Sequence, residues 1–284
     1  MAAKFLGQFL LERGVITAAQ LLAAIEAQRA SNPLLGELAV DRGLLDPAQA
    51  RRIQQRQRVE DRRFGDIALE MGALDQAQLD ALLDAQKAGR RMLGDVLLEQ
   101  GAIDPDRLEA ELALHRASQE DARHAFESEL AAHPLGDLAN SAVGLCARLF
   151  PRMLGSQCLP AEVLAPEELD SWPIVAHVRV EGDRPLGIAL ASDLPAARAL
   201  ACALLRISPD LFDDDLAQDA LGEMVNVLMG YLVHDVLADD ASYRALPPDT
   251  SVPIATLAAD RQRSLAIGMG SQLGGFVLLV DRHG

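Results

Sequence analysis

Four residues in the second half of the sequence have types and spacing that could act together on one partner. In DALGEMVNVLMG (219–230), successive residues advance by about 100° if the segment is helical. Asp219, Glu223, Asn226 and Gly230 then fall within one narrow arc, with Leu221, Met224, Val225, Leu228 and Leu232 on the opposite side. A carboxylate that pairs with cations, an amide that both donates and accepts, and a residue without a side chain thus share one polar stripe. The spacing recurs once, as Asp137, Asn140 and Gly144, which reads as a second, weaker site of the same kind. The sequence contains no HExxH, GxSxG or Walker loop from which to build a metal, serine or nucleotide-hydrolysing centre. No metal site is expected. His115, His124 and His133 lack ligand spacing for one helix face and read as solvated surface. Cys146, Cys158 and Cys202 are odd in number, form no CxxC and read as buried thiols.

A second group of candidates lies in the first half, where one phrase occurs four times: FLGQFLLERG, LLGELAVDRG, RFGDIALEMG and MLGDVLLEQG. The first glycines are Gly7, Gly36, Gly65 and Gly94, spaced without insertion, and each is followed seven residues later by Gly14, Gly43, Gly72 or Gly101. Such a register defines a repeat architecture. After each second glycine comes a helix start: Thr17 with Gln20, Asp46 with Gln49 and Asp75 with Gln78 form capping-box patterns, and Asp104 takes the fourth equivalent place. Pro47 and Pro105 occupy first helical positions, where a missing N–H is harmless. Each unit is therefore a short helix, a glycine turn and a longer helix with one apolar face. The long helices close with Gln28, Gln57 and Gln86, and with His115 in the fourth unit.

This phrase, LGxxLxxxG followed by an apolar helix ending in Gln, resembles the MshEN family, the amino-terminal domain of type II secretion and pilus ATPases. In that family two tandem motifs form one site for cyclic di-GMP. The resemblance implies two modules, residues 1–58 and 59–118, each a repeat pair. The family's opening Arg-Leu-Gly is matched at its arginine only by Arg63 of the third unit; the others open with Phe5, Leu34 and Met92. A dinucleotide with two phosphates needs guanidinium or backbone N–H donors, and Arg62, Arg63, Arg90 and Arg91 precede the third and fourth glycine turns. The second pair is therefore the expected nucleotide site, with Arg62, Arg63, Gly65, Gly72, Arg91, Leu93, Gly94 and Gly101 as its candidate residues.

Residues 119–133 break the repeat register and read as a helical linker ending before Pro134. Beyond it, 135–150, 195–205 and 215–237 read as helices, and 174–181, 186–191, 264–269 and 274–280 as strands. The expected fold is an all-α region of four repeat units followed by an α/β or α+β domain over 134–284, with helices on an antiparallel or mixed sheet. The 215–237 helix, with its acid, amide, glycine and apolar back, resembles the signature of the CheC/CheX/FliY family of chemotaxis phosphatases. The resemblance implies a CheX-like fold of two related helix-plus-strand halves and hydrolysis of the aspartyl phosphate on a CheY-like response regulator. It also implies roles: Asn226 orients the attacking water, Glu223 pairs with the regulator's active-site lysine, and the regulator brings its own aspartate and Mg2+. Positioning a water in line suits phosphoryl transfer, which is catalysed mostly by alignment and charge compensation.

Bulk composition bounds these readings. The 284 residues carry 26 Lys and Arg against 42 Asp and Glu, a formal charge of −16 that disfavours a nucleic-acid polymer as partner. No run of about 20 apolar residues is present for membrane insertion, and the amino-terminal residues do not form a signal-peptide core, so a cytoplasmic location is expected. Residues 1–133 hold 16 basic and 22 acidic side chains, and 134–284 hold 10 and 20. Cations thus concentrate where a small anion is expected. The resulting reading is a cytoplasmic signalling protein: a response-regulator phosphatase under cyclic di-GMP control, with no cofactor of its own. The alternative is a non-enzymatic adaptor, or cyclic di-GMP effector, in chemotaxis, flagellar or pilus systems, and a homodimer is compatible with either.

Overall fold

A computed structural model describes residues 4–60, 62–205, 207, 212, 214–237 and 241–282. The chain divides into two compact units, Leu6–His115 and Arg116–Gly284, the latter together with the residues before Leu6. The first is all-helical: α1 Leu6–Glu12, α2 Ala18–Ser31, α3 Leu35–Asp41, α4 Pro47–Glu60, α5 Phe64–Glu70, α6 Gln76–Gly89 and α7 Leu93–Glu99, followed by α8 Pro105–Ala132. The expected caps are present. Asp46 and Asp75 accept from the backbone N–H of Gln49 and Gln78 at 2.6 and 2.8 Å, Thr17 accepts from Gln20 at 3.2 Å, and Asp104 accepts from Arg107 at 2.9 Å. The second glycines have φ of 62–69°, the left-handed conformation that ends each short helix.

The first glycine of each unit has a different cause. A Cβ on Gly7, Gly65 or Gly94 would lie 2.5, 2.8 or 3.2 Å from the side chain of Leu21, Leu79 or Leu108, fourteen residues on. Short and long helices of one unit therefore meet backbone against leucine. The second unit has Ala50 where the others have leucine. There the ring of Phe64, from the third unit, fills the space and would lie 2.9 Å from a Cβ on Gly36.

Units pair in an order that differs from the expected modules 1–58 and 59–118. The second and third share one apolar cluster, with Ala39, Ile53, Ile67 and Leu82 at its centre; the first and fourth share another around Leu10, Ala24, Val96 and Leu97. The terminal glutamines join these pairs. Gln28 Nε2 donates to Arg91 O at 3.1 Å, and Gln86 Nε2 donates to Pro33 O at 3.0 Å. Asn32 and Arg91 exchange two further bonds, 2.8 and 2.9 Å. Gln28 and Gln86 thus each hold the entrance of another unit's short helix.

Glu111 occupies the position of Ala24, Ile53 and Leu82 in the other units and is 1% exposed. Its carboxylate is held by Arg13 of the first unit at 2.5 Å and by Arg107 at 2.8 Å. His115, expected on the surface, is instead buried, with its ring 5.0 Å from that of Phe9. The hydrogen bond from Arg13 holds the Glu111 carboxyl below the usual glutamate range. A depressed folded-state pKa means that the stabilisation is complete above the unfolded value of about 4.3 and is lost as pH falls through the lowered folded value.

The other unit holds α9 Gly136–Leu154, β1 Cys158–Leu164, β2 Ile174–Gly182, β3 Leu186–Ser192, α10 Leu194–Leu205, α11 Asp214–Val236, β4 Tyr243–Ala245, α12 Ile254–Leu257, β5 Ser264–Ser271 and β6 Gly274–Asp281. Its sheet has the order β1-β5-β6-β3-β2-β4, and the paired strands are antiparallel throughout. One face packs against α9, α10 and α11 around Leu145, Phe150, Leu200, Met224, Leu228, Ile267 and Leu278; the opposite face is covered around Leu169, Ile254 and Ala258. Phe150 and Phe276 stack at 4.7 Å across the first of these layers. Instead of a separate linker over 119–133, α8 continues unbroken to Ala132, and its Phe126 and Leu130 belong to the sheet unit's core. His133 ends it: Nδ1 accepts from Leu135 N–H at 3.1 Å and Nε2 lies 2.7 Å from Arg261 O. Cys146 and Cys158 are buried, and burial pushes the Cys158 thiol up to about 12.

Replacing Arg13 by alanine leaves the Glu111 carboxylate buried with one cation fewer. The Arg13→Ala variant is expected to lose several degrees of thermal midpoint at pH 7 and progressively less toward pH 3. Glu111→Leu, which restores the residue type of the other units, is expected to recover the loss; thermal melts of the two single variants and the double variant check this.

Candidate functional site

Helix α11 presents the expected stripe. Asp219, Glu223, Asn226 and Gly230 are exposed, whereas Ala220, Leu221, Met224, Val225, Leu228, Met229 and Leu232 are buried against the sheet. Among the described residues, neither the Glu223 carboxylate nor the Asn226 amide has a hydrogen-bond or ion-pair partner. Both groups are available to another molecule.

The second stripe sits on the same layer. Asp137, Asn140 and Gly144 are exposed on α9, whose Leu138, Ala142, Leu145 and Leu149 are buried in the core that α11 shares. Arg148 Nη2 bonds Asp235 Oδ2 at 3.2 Å, tying α9 four residues beyond Gly144 to α11 five residues beyond Gly230. A Cβ on Gly144 or Gly230 would meet nothing within 4 Å. Among the described residues, no contact accounts for a glycine at either place.

Two residues that the sequence pattern does not single out, Pro248 and Thr250, border α11. Gln218 Nε2 donates to Thr250 O at 2.9 Å, and a Cβ on Gly222 would lie 3.6 Å from Pro248 Cβ. The segment LPPDTSVP carries turn residues without periodicity; its tandem prolines were the available signal.

The nominated nucleotide residues are dispersed. Arg62 is paired with Glu60 and Glu70, and Arg91 with Glu99. Gly65 and Gly94 face Leu79 and Leu108, Leu93 joins the cluster of the first and fourth units, and Gly72 and Gly101 are the left-handed turn residues. Gly101 lines a cavity of about 700 Å3 with Gly14, Val15 and Arg107, apart from the third unit's Arg62, Arg63, Gly65 and Gly72. Arg63 and Arg90 are exposed and form no ion pair among the described residues. No group of three or more His, Cys, Asp or Glu side chains poised for a metal occurs among the described residues. No described helix is long and apolar enough to cross a membrane.

No family model matches this sequence, and no curated protein matches it. Solved structures resemble its carboxy-terminal half. The chemotaxis protein CheX from Desulfovibrio desulfuricans is 18% identical, over 52% of this chain and 99% of that one, with a TM-score of 0.40. CheX in the CheX–CheY–BeF3–Mg2+ complex from Borrelia burgdorferi is 16% identical over 52% and 98%, TM-score 0.40. FliY from Thermotoga maritima is 15% identical over 52% and 87%, TM-score 0.37.

The two kinds of helical glycine separate in stability. Gly65→Ala forces a methyl onto Leu79 and is expected to cost about 1–3 kcal/mol. Gly230→Ala, on an open helix face, is expected to gain roughly 0.5–1 kcal/mol. Urea denaturation of both variants measures the difference.

Proposed function

We propose that the sheet unit hydrolyses the aspartyl phosphate of a CheY-type response regulator. The observation that carries this reading is the exposed Glu223 and Asn226 pair, without partners among the described residues, on a helix whose other side is locked into the core. Asn226, through its amide, orients a water toward the phosphorus, and Glu223 pairs with a lysine of the regulator. The regulator supplies the phosphorylated aspartate and its Mg2+. Catalysis then rests on alignment by a rigid helix rather than on a nucleophile of this chain. Gly230 gives the regulator room to approach the helix backbone. Asp137 and Asn140 form a second, weaker copy on α9.

For the repeat unit the proposed ligand is cyclic di-GMP, with Arg63 and Arg90 as the cations free to meet its phosphates and the regulation of the phosphatase as its purpose. Calorimetric titration tests it. Heat on adding cyclic di-GMP, lost in Arg63→Ala, supports the proposal; no heat at saturating concentration makes the repeats a protein-interaction unit.

Adding the protein to a phosphorylated regulator is expected to speed phosphate loss. Glu223→Ala with Asn226→Ala is expected to abolish the gain, and Gly230→Ala to reduce it without destabilising the fold. Decay at the same rate with wild type and the double variant would sink the phosphatase reading, and tight regulator binding without turnover would assign the adaptor role.

A further inference from the structure

A fixed turn stands beside the α11 stripe. Pro248 packs over Gly222, the residue before Glu223, and Thr250 O accepts from Gln218, the residue before Asp219. The turn therefore borders the first two turns of the polar stripe. Pro247, Pro248 and Thr250 are exposed on its outer side.

The turn is anchored from behind at several points. Leu246 N–H donates to Arg179 O at 2.9 Å, Asp249 N–H donates to His177 O at 2.7 Å, and His177 N–H donates to Asp249 O at 2.9 Å. The segment thus continues the sheet beside β2 after β4 ends. Asp249 Oδ1 accepts from both N–H and hydroxyl of Ser251, at 2.9 and 2.7 Å, closing the turn on itself. His177 is itself held: its Nε2 lies 2.9 Å from Asp281 Oδ2, and both side chains are almost wholly buried. Gly187 makes that pair sterically feasible, since a Cβ there would lie 2.5 Å from the Asp281 carboxylate and 2.6 Å from His177 Nε2. The anchor thus runs from β6 through His177 to the turn.

We propose that Pro247, Pro248 and Thr250 form a preorganised rim that contacts the docked response regulator and selects among regulators; this rests on the phosphatase reading of the neighbouring stripe. The inward side of the turn consumes its backbone donors and acceptors in anchoring. What it offers outward is two proline rings of fixed φ and a hydroxyl. Such a surface loses little conformational entropy when a partner docks. It lies along one flank of Glu223, so it limits rotation of a regulator about the α11 axis, the freedom that in-line attack must remove. A regulator lacking a complementary apolar patch at that flank meets the prolines without compensation.

The test separates docking from chemistry. Regulators charged with acetyl phosphate are screened for one that the wild-type chain dephosphorylates. With it, Pro247→Ser combined with Pro248→Ser is expected to raise KM about tenfold while kcat stays within about twofold. Thr250→Arg, which leaves the backbone acceptor of Gln218 in place, is expected to raise KM likewise. The dissociation constant for the regulator loaded with beryllofluoride and Mg2+ is expected to rise in parallel and to be insensitive to Asn226→Ala. A wild-type KM and dissociation constant in both rim variants, with unchanged circular dichroism, would overturn the rim. Absence of hydrolysis by the wild type would count against the phosphatase reading instead, and the binding measurement would still decide the rim.

Discussion

The arrangement of the sheet unit depends on one burial requirement. The broader face of an antiparallel sheet must be covered, and α9, α10 and α11 cover it with most of their apolar residues. Turning α11 by one residue, about 100°, would move side chains such as Met224, Val225 and Leu228 off the sheet and bring polar groups toward it. Each large apolar side chain withdrawn from the core forfeits about 1.5–3 kcal/mol, and an unpaired carboxylate or amide pressed inward adds a further cost. The orientation of the polar stripe is therefore set by packing behind it. Glu223 and Asn226 need no partners within the fold to be held outward, because the opposite side of their helix already fixes the angle.

The repeat unit meets the opposite difficulty. Four copies of one phrase could pair in several equivalent ways, and similar apolar faces give little to choose between them. Departures from the phrase break the degeneracy. Ala50 leaves a space in the second unit that Phe64 of the third fills, and Glu111 places a carboxylate in the fourth that Arg13 of the first receives. A buried ion pair adds uncertain net stability, but a mispaired unit would leave its charge without a cation. Gln28 and Gln86 then act as fasteners, whereas these individual substitutions decide which units meet.

This explains what could be read from the sequence. Capping boxes, glycine turns and the α11 stripe are local: each is written within about ten residues, and each is where the spacing placed it. Partnership of the repeat units is non-local. Nothing within residues 59–118 says that its two units turn to different neighbours. The missed strands are those whose pattern is weak. β1 contains Pro160 and changes register between Pro160 and Glu162, as an edge strand can tolerate, and β4 has only three residues, all exposed. His115 was misread because its burial comes from Phe9, more than a hundred residues away in sequence. The turn beside α11 was invisible for the same reason, since its anchors lie on β2 and its neighbour is a helix far upstream.

Helical glycines occur in both units for different reasons. A glycine inside a helix costs about 1 kcal/mol relative to alanine, so its presence calls for a compensating cause. At Gly7, Gly36, Gly65 and Gly94 the cause is internal, because a leucine or phenylalanine side chain occupies the space of the missing Cβ. At Gly144 and Gly230 no described residue occupies it, and both stand on exposed faces beside an amide and an acid. The same residue type at helical positions therefore has two origins in one chain. Where no described contact requires the missing side chain, the lost helix stability calls for a cause outside the contacts of this chain, and a partner docked on α11, as proposed, is a cause of that kind.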